Sequence, residues 1–353
     1  MKCHSPGISP VGEVRKAFER ALGARRRVLI IGGYGVGNLG DEAILSVLLG
    51  ELRAMNADVR VISADADSTA RLHDAAAVRA TPAALARSLW WSDTVLIGGG
   101  GIFSRYMGSR SMLLPLVALA ARVAGRRVIF RALGVYRSTP RLVARALVTA
   151  MSLAAFVSVR DDASVHALRA FGLRRQPLRE SDPALRLKPT GCEAVVPARS
   201  VGIAVRRVRD EDAQGRLTAA VVEAIDDLIG EGFRPVFLAF STHPSEPAEQ
   251  DLHYAREIRA LTRDPARSRI IEAPLTPGEM RGVVAGLDAL IAVRFHAIVF
   301  GHAGRVPMAV IPYDDKCVSF ASEHDIHCLN FETLSAHAIV EQILAATGAR
   351  VAA

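Results

Sequence analysis

Gly32-Gly33-Tyr34-Gly35-Val36-Gly37-Asn38-Leu39-Gly40-Asp41-Glu42-Ala43-Ile44-Leu45 follows the apolar run Val28-Leu29-Ile30-Ile31 and leads into an apolar-periodic stretch. Five glycines within Gly32–Gly40 let the backbone turn sharply and let a ligand approach closely. Asn38, Asp41 and Glu42 fall where a helix should begin, and acidic or amide caps suit that end. A strand, a glycine turn and a helix in this order place a ligand site at the carboxyl end of a parallel sheet. Two common nucleotide motifs fit poorly. Gly35 and Gly40 have P-loop spacing, but Asp41-Glu42 stand where Lys-Ser/Thr is needed. Gly35-x-Gly37-x-x-Gly40 matches the dinucleotide fingerprint, yet the acids expected for the ribose, Asp65 and Asp67, come late. A dinucleotide-dependent enzyme therefore ranks low, and a turn that only packs helix on sheet is the plain alternative.

The 353 residues suffice for two domains of ordinary size. Half are hydrophobic and only 5% aromatic, which suits a large aliphatic α/β core. The net charge of +8 comes mainly from arginine along the chain, and the pI is about 9.8. A basic surface suits nucleic acid, anionic lipid or a phosphorylated substrate. Helix-turn-helix, zinc-finger and aromatic-basic patterns are missing, so no nucleic-acid partner is expected. Cys3, Cys192, Cys317 and Cys328 form no Cys-x-x-Cys pair, and reduced thiols in the cytoplasm are the expectation. Met1 to Gly23 is polar and charged, without a signal-peptide core. The apolar runs Met112–Ala121 and Ala146–Val159 are too short to span a bilayer. A peripheral contact at the inner face of a membrane stays open.

Strands alternate with helices along the chain, which predicts parallel, doubly wound sheets. The first half has strands at Val28–Ile31, Val59–Ser63, Thr94–Ile97, Arg127–Arg131 and Phe156–Arg160, the third entering a second glycine turn, Gly98–Gly101. Four prolines mark 173–199 as a connection. Strands then recur at Val201–Val205, Pro235–Phe240, Ile270–Glu272, Leu290–Val293 and Pro307–Ile311. The expected division is an arm at 1–25, a Rossmann-like domain at 26–175, a linker at 176–199, a second Rossmann-like domain at 200–330 and a terminal helix at 331–353. Two such halves facing a cleft describe the GT-B architecture. No coiled-coil seam indicates an oligomeric state.

The chemistry concentrates in the second half. Arg294 and His296 sit at a strand-to-helix junction, where unsatisfied N–H groups and the helix dipole favour an anion. Arg294 can grip a phosphate or carboxylate with two parallel hydrogen bonds, and His296 can exchange a proton near neutral pH. Arg206 ends the strand Gly202–Val205, so Arg206 and Arg294 together suit a small doubly charged anion. Lys316, after Val310–Asp315, is a third candidate cation, with a charged loop as the alternative. Arg207 and Arg209 are read as solvated loop residues. Arg160-Asp161 reads as a structural ion pair ahead of a cleft-facing arginine. A metal site from His296 and His302 fails, because i and i+6 lie on different helix faces.

In this order the motifs resemble the polysaccharide pyruvyl transferase family. The residues that carry the resemblance are Gly33–Leu45, the strand and glycine run at 95–101, Ser158-Val159-Arg160-Asp161 with Ser164, Leu168 and Gly172, then Asp182-Pro183-Ala184. Gly202–Arg206, Arg294-Phe295-His296, Gly304-x-x-Pro307 and Asp315-Lys316 with Phe320 complete the set, over about 28–320. The resemblance implies a GT-B fold and transfer of the enolpyruvyl unit of phosphoenolpyruvate onto a sugar as a ketal, in cell-wall or exopolysaccharide biosynthesis. It implies phosphoenolpyruvate binding by Arg206, Arg294 and Lys316, with His296 as proton donor. A saccharide acceptor, free or lipid-linked, would lie against the first domain near Gly35, Asn38, Asp41, Gly99 and Gly100. No cofactor and no metal are implied. Two segments depart from the family pattern on the acceptor side. Ala132-Leu133-Gly134-Val135-Tyr136-Arg137 replaces a Gln-Gly-Ile-Gly-Pro type segment, and Gly101-Ile102-Phe103-Ser104-Arg105 lacks the usual acid. A nucleotide-sugar-dependent glycosyltransferase and a non-catalytic scaffold of the same fold are the competing expectations.

Overall fold

The computed structural model describes residues 9–24, 26–101, 103, 111–191, 196–244, 246 and 249–351. They form two compact units, Met1–Val36 with Asp41–Pro183, and Gly37–Gly40 with Ala184–Ala353. Residues 1–8 of the expected arm, the acid-free positions Ile102, Ser104 and Arg105, and Cys192 lie outside the described residues.

The first unit is built on β1 (Arg27–Ile31), β2 (Asp58–Ser63), β3 (Ala76–Arg79), β4 (Thr94–Gly98), β5 (Arg127–Leu133), β6 (Phe156–Val159) and β7 (Leu178–Arg179). They lie in the order β3-β2-β1-β4-β5-β6-β7, and every pairing is parallel. The central strands β4 and β5 are buried almost throughout because helices cover both faces; only Arg127, the first residue of β5, is exposed. The helices are α1 (Val11–Leu22), α2 (Leu39–Ala54), α3 (Ala66–His73), α4 (Pro82–Trp91), α5 (Leu113–Val123), α6 (Arg141–Ser152) and α7 (Asp162–Ala170). Strand order reverses direction between β1 and β4, and both glycine turns leave the sheet at that point. Ligands bind at such switch points in open α/β sheets.

Two expected boundaries shift. The described part of the arm is α1, whose Val14, Phe18 and Leu22 are buried. Phe18 meets Phe156 edge-on at 5.9 Å. Burying a phenylalanine fully contributes about 1.5–3 kcal/mol, enough to hold a short helix on the sheet. The linker expected at 176–199 begins later, because Leu178–Arg179 adds β7 at the sheet edge. Glu180 and Asp182, which read as linker charge, are buried against arginines of β5 and the β6 end.

The second unit contains β8 (Ser200–Ala204), α8 (Glu211–Gly230), β9 (Arg234–Phe237), α9 (Asp251–Leu261), β10 (Arg269–Ile270) and α10 (Pro277–Ala285). It continues with β11 (Ala289–Ala292), α11 (Phe295–Gly304), β12 (Met308–Val310), α12 (Asp315–Glu323) and α13 (Ala336–Val351). The parallel order β10-β9-β8-β11-β12 repeats the reversal, now between β8 and β11. The terminal helix belongs to this core, since Ile339 and Ile343 of α13 are fully buried beside Leu217 and Val221 of α8.

Candidate functional site

Arg206 follows β8 and Arg294 follows β11, so the two arginines flank the switch point of the second sheet. Arg294 is the N-cap of α11 and only 6% exposed. Its Nε donates to both oxygens of Asp251 at 2.9 and 2.8 Å, and Nη2 also pairs with Asp251. Its Nη1 donates to Glu249. The two-pronged grip expected of Arg294 is therefore made to an internal carboxylate, with one nitrogen directed elsewhere. Burial opposes the guanidinium charge, but Asp251 and Glu249 outweigh it and hold the pKa above the ordinary value. Burial raises Asp251, against the opposing pull of Arg294. Asp251 Oδ2 also accepts from the N–H groups of Phe240 and Ser241 at 3.0 and 2.9 Å, tying the end of β9 to the arginine.

Glu249 is the centre of the cluster. Its Oε1 accepts from Arg206 Nη2 at 2.8 Å, and its Oε2 accepts from Arg294. Burial pushes its carboxyl up, but Arg294, Arg206 and Lys316 together bring it below the usual range. Arg206 Cζ stands 4.2 Å from the Tyr313 ring centroid, and Lys316 Nζ stands 5.0 Å from the same ring. Lys316 lies in the first turn of α12, not in a charged loop, with Asp314 as N-cap. Arg206 and Arg294 thus meet at the Glu249 carboxylate, and Arg206 and Lys316 at the Tyr313 ring. His296, in the first turn of α11, has its ring edge-on to Phe295 at 5.0 Å. It also packs on the Gly37–Gly40 segment of this unit: a Cβ added at Gly40 would lie 1.7 Å from His296 Nδ1. Glycine is required there for close approach.

Asn38 was expected on the first domain but belongs to the second unit. It bridges Ser241 in antiparallel fashion, while Leu39 N–H donates to Phe240 O and Thr242 N–H to Gly37 O. Its side chain accepts from Gly40 N–H at 3.1 Å, the cap foreseen for α2. The other acceptor-side residues meet in the first unit. Gly100, at φ +80°, leaves room for Asp41, whose Oδ1 would lie 2.1 Å from an added Cβ. Gly99 is covered by the Tyr34 hydroxyl, which donates to Gly98 O at 2.7 Å. Burial first, then Asp41 and Glu42, push the Tyr34 phenol well above its ordinary value. Gly35 N–H donates to Glu42 Oε1 at 2.7 Å, and Glu42 Oε2 meets His73 Nε2 at 2.7 Å. The glycine turn is thus a built structure with the buried Glu42 and the partly buried Asp41 beside it.

Sequence reasoning missed Glu249, Asp251 and Tyr313. It also missed the partners that the β5 and β6 arginines find around β7. Arg131 is 2% exposed and pairs with Glu51 and with Glu180 at 2.5 and 3.5 Å. Arg160 pairs with Asp182 at 3.2 Å and Asp161 at 3.6 Å, and meets the Tyr136 hydroxyl at 3.2 Å. Arg160-Asp161 is thus the structural pair expected, with Asp161 also capping α7. His302 meets Phe320 edge-on at 5.8 Å and His324 in a tilted contact at 4.4 Å. A depression of about 440 Å³ lined by Arg20, Arg127, Arg175 and Phe156 lies at the amino ends of β5 and β6, the opposite end of that sheet from the glycine turns.

The sequence profile of the family described as polysaccharide pyruvyl transferase matches residues 38–315. No curated protein shows significant sequence similarity to the chain. Solved structures do share the fold. UDP-GlcNAc 2-epimerase from Methanocaldococcus jannaschii, in complex with UDP-GlcNAc and UDP, is similar at TM-score 0.58 and 12% identity, over 91% of this chain and 92% of that one. UDP-GlcNAc 2-epimerase from Neisseria meningitidis gives 0.57 and 12%, over 89% and 90%. ADP-heptose LPS heptosyltransferase II from E. coli gives 0.52 and 13%, over 92% and 99%. At such identities the likeness shows the GT-B type of fold and nothing of the activity.

Proposed function

The chain belongs to the polysaccharide pyruvyl transferase family, and on that premise we propose that it transfers the enolpyruvyl unit of phosphoenolpyruvate to a sugar of a cell-surface polysaccharide or its precursor. The product is a pyruvate ketal, with release of phosphate. The observation that carries this reading is the convergence of Arg206 and Arg294 on the carboxylate of Glu249, with Lys316 beside the Tyr313 ring that Arg206 also meets. A cluster that holds one carboxylate suits a donor bearing a carboxylate and a phosphate. Arg294 has Nε and Nη2 on Asp251 and Nη1 on Glu249, so only Nη1 would turn to the donor, by exchanging Glu249 for it. Arg206 and Lys316, 15% and 21% exposed, supply the accessible charge.

His296 supplies the proton to the donor's methylene carbon. One sugar hydroxyl attacks the oxocarbenium-like centre and returns its proton to His296. The carbon–oxygen bond to phosphate breaks, a second hydroxyl closes the ketal, and its proton leaves with the phosphate. The saccharide acceptor is assigned to the loops of the first unit at Gly35, Asp41, Gly99 and Gly100. The reaction as written needs no redox cofactor and no metal.

A thermal-shift titration tests this. Phosphoenolpyruvate at a hundred times its Kd should stabilise the fold by about 2.7 kcal/mol. The gain should shrink in Arg206→Ala and Lys316→Ala, and a nucleoside diphosphate or NAD should give none. His296→Ala should keep the shift and lose turnover. Stabilisation by the nucleotide alone would move the chain to nucleotide-sugar chemistry.

A further inference from the structure

Between Asp93 and Asp161 the chain has no acidic residue. The 67 residues at 94–160 hold ten arginines, and outside them 34 lysines and arginines stand against 36 acids. The excess positive charge, expected to be spread along the chain, therefore arises in this one stretch. Arg131 and Arg160 are buried in ion pairs, but Arg122, Arg137, Arg141 and Arg145 are exposed.

The same stretch exposes apolar side chains. Leu114, Val117, Ala118 and Ala121 of α5 face the core. The opposite stripe, Leu113, Leu116, Ala120 and Val123, is exposed, with Val123 at 91% and Leu113 at 57%. A helix apolar on all sides is normally covered on all sides. α6 packs beside α5 and adds exposed Leu142 at 71%, between Arg141 and Arg145. Trp90, 81% exposed at the end of α4, takes a hydrogen bond on its carbonyl from Arg126 at 2.9 Å and carries that guanidinium 5.7 Å from its ring. The adjacent α5 and α6 thus expose aliphatic tips and arginines with no acid of their own, and Arg126, just past α5, links Trp90 to them.

We propose that the α5–α6 face with Trp90 docks on an anionic lipid surface. The apolar tips would enter the acyl boundary, Trp90 would sit at the headgroup level, and the guanidiniums would bind lipid phosphates. Charge complementarity selects this occupant, because a second copy of the face would bring like charge against like charge. The assignment is independent of which group the protein transfers.

Co-sedimentation of the full chain with vesicles is the test. Vesicles of phosphatidylcholine and phosphatidylglycerol in equal amounts should pellet the protein, and pure phosphatidylcholine vesicles should not. Salt at about 1 M, where the Debye length falls to about 3 Å, should release most of it. Leu116→Ser with Val123→Ser should weaken binding about tenfold or more, as should Arg141→Gln with Arg145→Gln, with melting temperatures held. Equal pelleting of both variants and the parent would overturn the assignment. So would failure to bind either vesicle, or lipid-free self-association abolished by Val123→Ser.

Discussion

Arg294 and Lys316 carry the same charge in one cluster, but their environments predict different mutants. Arg294→Ala leaves Asp251 buried with no counter-ion and should cost about 3–5 kcal/mol, read as a lower denaturation midpoint. Lys316→Ala removes a partly exposed cation and should stay within about 1 kcal/mol. Matching midpoints in the two variants would contradict this division. Glu249 titrates in the acid range. Its folded pKa lies below the unfolded value, so its stabilisation is complete above the ordinary glutamate range and is lost as pH falls through the folded value. Glu249→Gln should lower stability by about 1–3 kcal/mol near neutrality and lose this advantage on acidification. A wild-type minus variant difference that stays flat from neutral to acid pH would refute it. Arg206, Arg294, Lys316 and His296 were legible because each follows a readable strand. Glu249 and Asp251 were not, since they meet Arg294 across 45 and 43 residues and no local period announces such a pair.

At the scale of elements, the strands buried on both faces were readable as apolar runs, and the glycine turns marked their carboxyl ends. The alternation assigns no element to Ala66–Trp91. Its edge strand β3, Ala76–Arg79, has no fully buried residue, so packing imposes little pattern on it. β7 has two residues between prolines, too short for a period. The bulge between Phe130 and Leu133 was also invisible, because Ala132 takes φ 50°, a conformation that favours glycine. Ala132→Gly should relieve about 1–2 kcal/mol of backbone strain. It should therefore be neutral or stabilising in denaturant melts, while Ala118→Gly in α5 should destabilise by about 1 kcal/mol. A comparable loss at both alanines would show that position 132 carries no strain.

At the scale of the molecule, two doubly wound sheets followed from alternation alone, and the switch point repeated in each sheet is where both sets of candidate residues lie. The division of the chain was less legible, since Gly37–Gly40 groups with the second unit while lying far from it in sequence. Backbone hydrogen bonds from Leu39 and to Gly37, with the packing of Gly40 on His296, fix that grouping. Residues 184–353 expressed alone lack these bonds and should unfold at a lower denaturant concentration than the same residues within the whole chain, followed by native-state hydrogen exchange at β8 and β11. Equal protection in both would show that the segment adds nothing. The second unit is consequently no contiguous cassette. A chimera joined at Pro183 would inherit its Gly37–Gly40 stitch from the other parent, so recombination between relatives must keep two distant chain segments matched for the graft to take.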